Sequence, residues 1–399
     1  MTNDKNSDGT PKGYDNREHA YIKHCLLKEY LQKLFLIIGM GSRESEVVEI
    51  CYVDCFAGPW LDESDKLGTT SIAISLGILE QCQKELRDRG KNIKLRALYV
   101  EKDNDAFIRL EHHLARYTPD GIETKALKGD FVALRDQILE WCGSGSFAFF
   151  FIDSKGWTPI QIDILRILLQ RPRSEFLINF MYDFLNRAVS IPSIQGQITK
   201  LLGEQPNVDG LSSAAREKTL LWIYRKNLKA QVRPSSKYPA RSAYVCVQDA
   251  SKDRTKYHLV YLTSHPVGII RFMEISEKLD LVQKQVRAAK KQLKRIEKNG
   301  QEELFKSLEF VSEDEGHATP EEVEKFWLTK PSSSPRRFDE HNFADLLEET
   351  DWFAGDLQQA LGRLMAQGKV LNVDAKRKRR SRFLHYENGE RLQRTGEAQ

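Results

Sequence analysis

A doubly wound α/β fold is predicted by three features of this 399-residue sequence. Short apolar runs alternate with segments of helical periodicity, which is the pattern of the strand–helix units that build a parallel sheet. Four of these runs end at or just before an acidic residue, as strands do where a parallel sheet meets a ligand. Two later strands, residues 242–248 and 257–263, flank a polar turn and predict a closing antiparallel hairpin.

The predicted helices and strands follow one another at regular spacing. Apolar residues recur at helical spacing in the first helix, and Thr70 is suited to cap the second. The fourth strand is wholly apolar, which is typical of a strand buried on both faces. Helices are predicted at 17–38, 70–89, 106–117, 132–142 and 159–169, and strands at 50–54, 94–100, 123–127, 147–152 and 175–181. A mostly helical insertion is predicted at 190–235.

The bulk composition excludes several classes of protein. With 40% hydrophobic and 30% charged residues the chain is typical of soluble globular proteins, and a net charge of +4 is too small to indicate a partner. The apolar runs are too short to span a bilayer, and residues 1–16 lack the regions of a signal peptide. The six cysteines show no CxxC or metal-binding spacing, so we expect a reduced, cytoplasmic protein without a disulfide framework or a zinc site.

The strand ends predict a nucleoside-binding site, because ligands of doubly wound sheets lie at the carboxyl ends of the strands. Glu101 ends the second strand, where an acid can accept hydrogen bonds from both ribose hydroxyls. Asp130 follows the third strand and is placed to accept from an adenine amino group. The residues predicted to bind S-adenosylmethionine are Asp54, Phe56, Gly58, Glu101 and Asp130. Acids also end strands without any function, since they favour turns, but four in register favour a nucleoside site.

Three residues are catalytic candidates: Asp153, His265 and Arg187. Asp153 ends the fourth strand, beside the expected position of a transferable methyl group. His265 precedes a proline after the last strand and is either a base over the substrate or a turn histidine bonded to backbone. Arg187 follows the fifth strand and either holds a phosphate or carboxylate or forms an ion pair that caps its helix.

Several segments resemble the three-Cys-motif partner protein family (TcmP), a bacterial group of methyltransferase-like proteins. They are KHCLLKEYL (residues 23–31), YVDCFAGP (52–59), FID followed by GW (151–157), NFM through NR (179–187) and LTSH (262–265). The resemblance covers roughly residues 15–275 and extends to a winged-helix tail in such proteins. It implies a class I methyltransferase fold, five parallel strands followed by a hairpin, and a functional link to a neighbouring radical-type protein that carries three cysteines.

Two departures from the family pattern bear on catalysis. Trp60 stands where relatives have glycine after the first turn, which narrows the pocket. Asp153 is followed by Ser154 and Lys155 where the pattern usually has proline and phenylalanine, and enzymes that methylate bases use prolines there. Methyl transfer to a base is therefore not assured, and Lys155 is either a phosphate contact or a solvated side chain.

The C-terminal third is predicted to be a separate unit. Residues 274–300 form a basic helix whose cationic face is either solvated or a nucleic-acid or partner contact. After an acidic, irregular stretch at 312–324, residues 341–387 predict a winged helix, with strands at 370–373 and 383–386 joined by a basic loop. The loop residues predicted to contact nucleic acid are Lys376, Arg377, Lys378, Arg379, Arg380 and Arg382.

Together these features predict a Rossmann-like class I methyltransferase fold, α/β with a doubly wound, mostly parallel sheet, and a C-terminal winged helix-turn-helix domain. The predicted boundaries are a disordered N-terminus at 1–16, a methyltransferase-like domain at 17–273, a linker helix at 274–300, a winged-helix domain at 301–390 and a tail at 391–399. We expect an S-adenosylmethionine-dependent methyltransferase that acts on a nucleic acid or a partner-delivered substrate. The alternative is a non-catalytic adaptor that targets a radical-enzyme partner to nucleic acid. The altered residues after Asp153 favour the adaptor, and the acids at the strand ends favour the enzyme.

Overall fold

The computed structural model describes residues 6, 10–14, 17–43, 46–58, 68–235, 237–250, 252–299, 318–377 and 379–395. In the helix that ends at residue 299, side chains are described as far as residue 293. Within these ranges, none of the helices combines the length and the apolar character that crossing a membrane requires.

A seven-stranded mixed sheet forms the centre of the protein. Its strands are β1 (Val48–Asp54), β2 (Ile93–Glu101), β3 (Glu123–Lys128), β4 (Phe147–Ile152), β5 (Ser174–Phe180), β6 (Arg241–Gln248) and β7 (Thr255–Thr263). They lie in the order β3-β2-β1-β4-β5-β7-β6. Strand β7 is antiparallel to both of its neighbours, and all other pairs are parallel. The prediction of a mostly parallel, doubly wound sheet closed by a hairpin is confirmed.

Helices cover both faces of this sheet. They are α1 (Glu18–Met40), α2 (Ser71–Asp88), α3 (Asn104–Tyr117), α4 (Phe131–Cys142), α5 (Ile162–Leu169), α6 (Tyr182–Ala188), α7 (Gln195–Leu202), α8 (Ser213–Gln231) and α9 (Pro266–Asn299). One apolar core lies between the sheet and α1, α2, α3 and α9, and a second lies between the sheet and α4 to α8. Successive residues of β1 enter opposite cores, with Tyr52 in the first and Val53 in the second, as the pleat of a strand requires.

Helices that follow the carboxyl ends of the strands begin at residues whose side chains cap them. Thr70 accepts a hydrogen bond from the backbone N–H of Ala73 at 3.3 Å, and Asp103 caps α3 in the same way. These caps satisfy backbone donors that have no partner inside the first helical turn. They therefore fix where each helix begins relative to the strand end before it.

Helix α9 is longer than the predicted linker helix. It begins at Pro266, directly after β7, and residues 274–299 are its later part. The helix predicted at 159–169 is divided into a 3₁₀ turn, Thr158–Ile160, and α5. The predicted domain boundaries remain predictions.

A C-terminal unit follows α9. It consists of α10 (Pro320–Leu328), β8 (Arg336–Phe338), α11 (Glu340–Thr350), α12 (Ala354–Ala366), β9 (Val370–Asn372) and β10 (Glu390–Arg394). The three strands form an antiparallel sheet in the order β8-β10-β9. Helix α10 lies partly where an irregular stretch is predicted; residues 312–317 of that stretch are outside the described residues.

The strand predicted at 383–386 is wrong, because the second strand of the hairpin is β10. Leu384 and Tyr386 are buried, and a 3₁₀ turn begins at Tyr386. The backbone N–H groups of residues 383 and 384 donate to Gln358 Oε1 at 2.8 and 3.0 Å, and that of His385 donates to Glu390 Oε2 at 2.7 Å. Side chains thus satisfy the backbone donors that a strand partner would otherwise satisfy.

Helix α9 connects the sheet to the C-terminal unit. It packs against α1 and β6 and also against α11 and α12. One apolar core continues from the sheet through α9 into the C-terminal helices. Ion pairs add to this contact, including Arg225 with Asp351 at 2.8 Å and Lys229 with Glu348 at 2.7 Å.

Candidate functional site

Asp54 ends β1 and shapes the turn that follows it. Its side chain is fully buried, Oδ1 accepts from the backbone N–H of Phe56 at 3.1 Å, and Oδ2 accepts from the Ser71 hydroxyl at 2.5 Å. Burial, which these hydrogen bonds only partly oppose, raises the pKa of Asp54 to about 6. The Asp54 carboxylate is enclosed and supports the turn after β1, and its predicted contact with the cofactor stays a prediction.

Gly58 and Glu101, two predicted cofactor residues, lie against each other. The Glu101 side chain is buried, and its Oε1 accepts from the backbone N–H of Asp103 at 2.6 Å. A Cβ added to Gly58 would overlap Oε2 of Glu101, so a residue with a side chain does not fit there without moving the carboxylate. The structure therefore joins the glycine turn after β1 to the acid that ends β2, as a nucleoside site of this fold requires.

Phe56 and Asp130 lie at the same carboxyl edge. The Phe56 ring is partly buried and lies 5.2 Å from the Phe131 ring, measured between centroids. Asp130 is exposed, and its Oδ1 accepts from the backbone N–H of Val132 at 2.9 Å to cap α4. Asp130 thus acts as a helix cap, and its predicted contact with adenine stays a prediction.

Asp153 ends β4 in an ion pair that is largely shielded from solvent. Nζ of Lys23, from α1, donates to Oδ2, and Nδ2 of Asn179, from β5, donates to Oδ1 at 2.7 Å. Burial by itself would raise the pKa of Asp153, but the charge of Lys23 and the two hydrogen bonds bring it below its ordinary value. Sequence reasoning missed Lys23 and Asn179, although both lie within segments that resemble the family.

Aromatic and basic groups surround this ion pair. Nζ of Lys23 lies 5.9 Å from the centre of the Tyr257 ring, and the Tyr257 hydroxyl donates to the backbone carbonyl of His19 at 2.7 Å. Burial, with the charges of Lys256 and Lys23, lowers the pKa of His19 to about 4. Burial and Lys23 also lower the pKa of His24 to about 3. Both histidines are therefore neutral at pH 7, and Lys23 is the positive group closest to Asp153.

Arg187 lies in α6, just beyond the end of β5. Its guanidinium pairs with Asp183 at 3.2 Å, lies over the Phe184 ring and leaves 61% of the side chain exposed. It lines a cleft of about 1010 Å³ between α6, α8, α9 and the β6–β7 hairpin. The structure thus places Arg187 near the carboxyl edge and pairs it within its own helix, which is one of the two alternatives predicted for it.

His265 lies at the opposite edge of the sheet, so its predicted role as a base needs correction. Because β7 is antiparallel to β5, its last residues face the beginning of β5, and Leu262 pairs with Phe176. The His265 ring stacks on Tyr238 with centroids 5.2 Å apart, and burial lowers its pKa. The antiparallel direction of β7 therefore separates His265 from Asp153.

The basic loop between β9 and β10 is partly engaged in internal ion pairs. Arg379 binds both carboxylate oxygens of the buried Glu390, and Arg382 donates to Glu387 at 2.5 Å. Burial would raise the pKa of Glu390, but the hydrogen bonds that it accepts, above all from Arg379, lower it to about 2. Among the described basic residues of the loop, Lys376, Arg377, Arg380 and Arg382 are exposed, whereas Lys378 lies outside the described residues.

Some basic residues of α9 pair with acids that are distant in the sequence, whereas Lys284 pairs with Asp280 in the same helix. Arg287 binds Asp253 at 2.7 Å, and Lys290 binds Glu18. Over the part of α9 whose side chains are described, the predicted cationic face is thus used largely to hold the helix against the protein.

No protein-family model and no curated protein matches the chain. A solved Legionella pneumophila protein of the family model DUF519 has 11% identity and a TM-score of 0.36, over 67% of this chain and 92% of that one. An O-methyltransferase from Bacillus cereus, solved with SAH, has 15% identity and a TM-score of 0.29, over 59% and 80%. A dimethyladenosine transferase from Plasmodium falciparum has 12% identity and a TM-score of 0.28, over 85% and 96%. These TM-scores are too low to support an argument about the site.

The chain has a mixed α/β fold with five parallel strands and a closing antiparallel hairpin, the strand arrangement predicted above. The carboxyl edge of this sheet fits a nucleoside cofactor in one respect that can be checked. Because residue 58 is a glycine, Oε2 of Glu101 can lie against its backbone, and an acid in that position can accept from ribose hydroxyls. The cluster formed by Lys23, Asp153 and Asn179 lies farther along the same edge.

Proposed function

We propose that the protein binds S-adenosylmethionine at the carboxyl edge of its sheet and methylates a nucleic acid or a substrate delivered by a partner. The contact between Gly58 and Glu101 is the observation that supports this most directly. The glycine lets the Glu101 carboxylate approach the backbone of the turn, and that acid, at the end of the next strand, accepts from the ribose hydroxyls. Phe56, in the same turn as Gly58, supplies an apolar surface for the rest of the cofactor.

The cluster around Asp153 is proposed to orient the methyl acceptor. S-adenosylmethionine supplies the methyl group when bound, so the chain itself has to position the acceptor. The carboxylate of Asp153 can accept a hydrogen bond from an acceptor N–H or O–H, and Lys23 and Asn179 hold that carboxylate in place. Catalysis by orientation of this kind needs no group that titrates near neutral pH.

Three of the segments that resemble TcmP meet in this cluster. Lys23 belongs to the first segment, Asp153 to the third and Asn179 to the fourth. This convergence supports the proposal that the chain is a member of that family and acts with a three-cysteine radical-type protein. The alternative is a non-catalytic adaptor for that partner. The ion pair between Lys23 and Asp153 supports it, because Lys23 already occupies the carboxylate that an enzyme would offer to its substrate.

Glu101→Ala is expected to weaken binding of S-adenosylmethionine, or of its homocysteine product, by about 1–3 kcal/mol, the cost of losing a charged hydrogen-bond partner. Isothermal titration calorimetry measures this difference. Glu111→Ala removes an exposed acid of α3 and serves as the matched control, with affinity unchanged. Absence of both heat and a thermal shift for the wild-type protein at millimolar ligand would falsify the cofactor assignment.

Methyl transfer distinguishes the enzyme from the adaptor. The purified protein is incubated with methyl-labelled S-adenosylmethionine and with total RNA, total DNA or the partner protein. Label in one of these acceptors supports the enzyme. Cofactor binding with no label in any acceptor supports the adaptor.

We also propose that the C-terminal unit is a winged helix whose basic loop contacts the phosphate backbone of a nucleic acid. Its three helices and three-stranded antiparallel sheet support this, as does the position of the loop between β9 and β10. Lys376, Arg377, Arg380 and Arg382 are exposed, and basic side chains attract phosphates without reading sequence.

Replacing Lys376, Arg377 and Arg380 by Gln is expected to lower nucleic-acid affinity for every sequence tested. The slope of log affinity against log salt should shrink by roughly 0.9 for each duplex phosphate contact that is lost. Arg379 and Arg382 stay unchanged because they hold the loop. A control triple variant replaces exposed lysines elsewhere, at Lys84, Lys125 and Lys200, and keeps the wild-type slope. Equal slopes for the loop variant and the wild-type protein would exclude this loop as the contact.

A further inference from the structure

The β6–β7 hairpin brings together two residues that the sequence keeps well apart. Cys246 of β6 and His258 of β7 are directly paired across the antiparallel ladder, so their side chains lie on the same face. Helix α8 passes this face and contributes Glu217, whose Oε1 lies 2.9 Å from Nε2 of His258. The thiol, the imidazole and the carboxylate each offer a ligand atom, and these three atoms all lie within 4.8 Å of one another.

The His258 ring is buried, yet Nδ1 has no hydrogen-bond partner. Buried polar groups are normally satisfied, so an imidazole left in this condition indicates a ligand or an ordered group beside it. The Cys246 thiol has a weak partner, the Thr255 hydroxyl at 3.4 Å. The His258 imidazole and the Cys246 thiol can therefore each still bind a ligand.

All three residues line the cleft of about 1010 Å³ that also contains Arg187. Asn186 lines this cleft as well, and its Oδ1 is a further buried oxygen without a hydrogen-bond partner. Buried polar groups without a hydrogen-bond partner, His258 Nδ1 and Asn186 Oδ1, therefore line one cleft, and neither Gly58 nor Glu101 is among its lining residues.

From this geometry we infer a zinc site formed by Glu217, Cys246 and His258. Sulfur, imidazole nitrogen and carboxylate oxygen are the ligand types that Zn²⁺ takes, and three protein ligands leave one tetrahedral position for water. Zinc–ligand bonds of about 2.0–2.3 Å separate ligand atoms by roughly 3.3–3.8 Å, so small side-chain rotations bring these atoms into place. The open position faces the cleft. This inference does not depend on the proposed methyl transfer.

The sequence did not predict this site, because its three ligands are far apart along the chain. The expectation that the protein lacks a zinc site rests on the absence of CxxC and Cys/His patterns, and those patterns do not detect ligands that pair across a hairpin. The hairpin was predicted without a register, and it is the register in the structure that pairs the cysteine with the histidine.

Cobalt binding to the full-length protein tests the site. The metal-free protein is titrated with Co²⁺, and a cobalt–thiolate charge-transfer band in the near ultraviolet reports cysteine ligation. We expect one Co²⁺ per chain, displaced by one Zn²⁺, with the band present. Cys246→Ser should abolish the band, His258→Gln should weaken affinity by more than about 100-fold, and Cys25→Ser, at a half-buried cysteine of α1, should change neither.

Circular dichroism shows which variants remain folded. Should Cys246→Ser fail to fold, Glu217→Gln decides the question, since it is expected to lower Co²⁺ affinity about ten-fold or more while the thiolate band persists. The zinc site is refuted by a wild-type protein that gives no band, by a band that survives Cys246→Ser, or by an affinity that Glu217→Gln leaves unchanged.

Discussion

Gly58→Val is expected to bind S-adenosylmethionine at least about 100-fold more weakly than the wild-type protein, a loss within the range of a displaced hydrogen-bonded charge. The first atom of the new side chain would overlap Oε2 of Glu101. The Glu101 side chain cannot retreat freely, because it is buried and its other oxygen accepts from the N–H of Asp103. Calorimetric titration of the folded variant measures the affinity.

Gly77→Ala is the control for this change. A Cβ at Gly77 meets nothing within 4 Å, and the residue lies in the exposed part of α2. Binding should stay unchanged, and stability should rise by up to about 1 kcal/mol because alanine favours a helix.

A double variant of Gly58→Ala and Glu101→Ala adds a second test. Its loss of affinity should be smaller than the sum of the single losses, since both changes act on one carboxylate. Additive losses would show that the two residues act separately.

Lys23→Met is expected to lower the free energy of unfolding at pH 7 by about 1–3 kcal/mol, because it leaves the carboxylate of Asp153 without its positive partner. The folded-state pKa of Asp153 is below its ordinary value of 3.8, so the pair contributes its stability above that pH and loses it as the pH falls through the folded pKa. In Lys23→Met the pKa of Asp153 should rise. The difference in the free energy of unfolding between the variant and the wild-type protein should therefore shrink as the pH is lowered from 7 to 4. Urea unfolding at a series of pH values measures both effects.

Two variants control for the loss of a lysine side chain. Lys23→Met combined with Asp153→Asn should recover part of the stability, because no charge is then left without a partner. Arg89→Met removes an exposed ion pair with Glu85 in α2 and should change stability by less than about 0.5 kcal/mol. If Lys23→Met were as stable as the wild-type protein at pH 7, the ion pair would not hold α1 to β4.

The sheet could be predicted because its signals are local. The wholly apolar run at 147–152 has the bounds of β4, and the acids at the strand ends mark where the chain leaves the sheet. Strand β10 was missed for the opposite reason. Its sequence, ERLQR, is short and polar, and the ladder with β8 and β9 defines it more than its own composition does.

The candidate site could be predicted only in part, because much of it depends on contacts between distant residues. Lys23 and Asp153 are 130 positions apart, and no spacing rule joins them. The enclosure of Asp54 depends on Ser71, the first residue of a helix that begins after a long loop. For His265 the predicted hairpin already implied the answer, since an antiparallel last strand ends at the opposite edge of the sheet from the carboxyl ends of the parallel strands.

Helix α9 has a consequence for how a nucleic acid could be selected. The helix shares one apolar core with the sheet and with the C-terminal helices, and ion pairs from α8, such as Arg225 with Asp351, also join the C-terminal unit to the rest of the protein. The unit that carries the basic loop therefore packs against the rest of the protein, and this packing sets the distance from the loop to the strand-end site. A nucleic acid held by the loop would present to that site only the nucleotides at a fixed distance from the point of contact. The nucleotide that is modified would then be selected by its distance along the bound strand from the loop. No contact between the loop and a base would be needed for this selection.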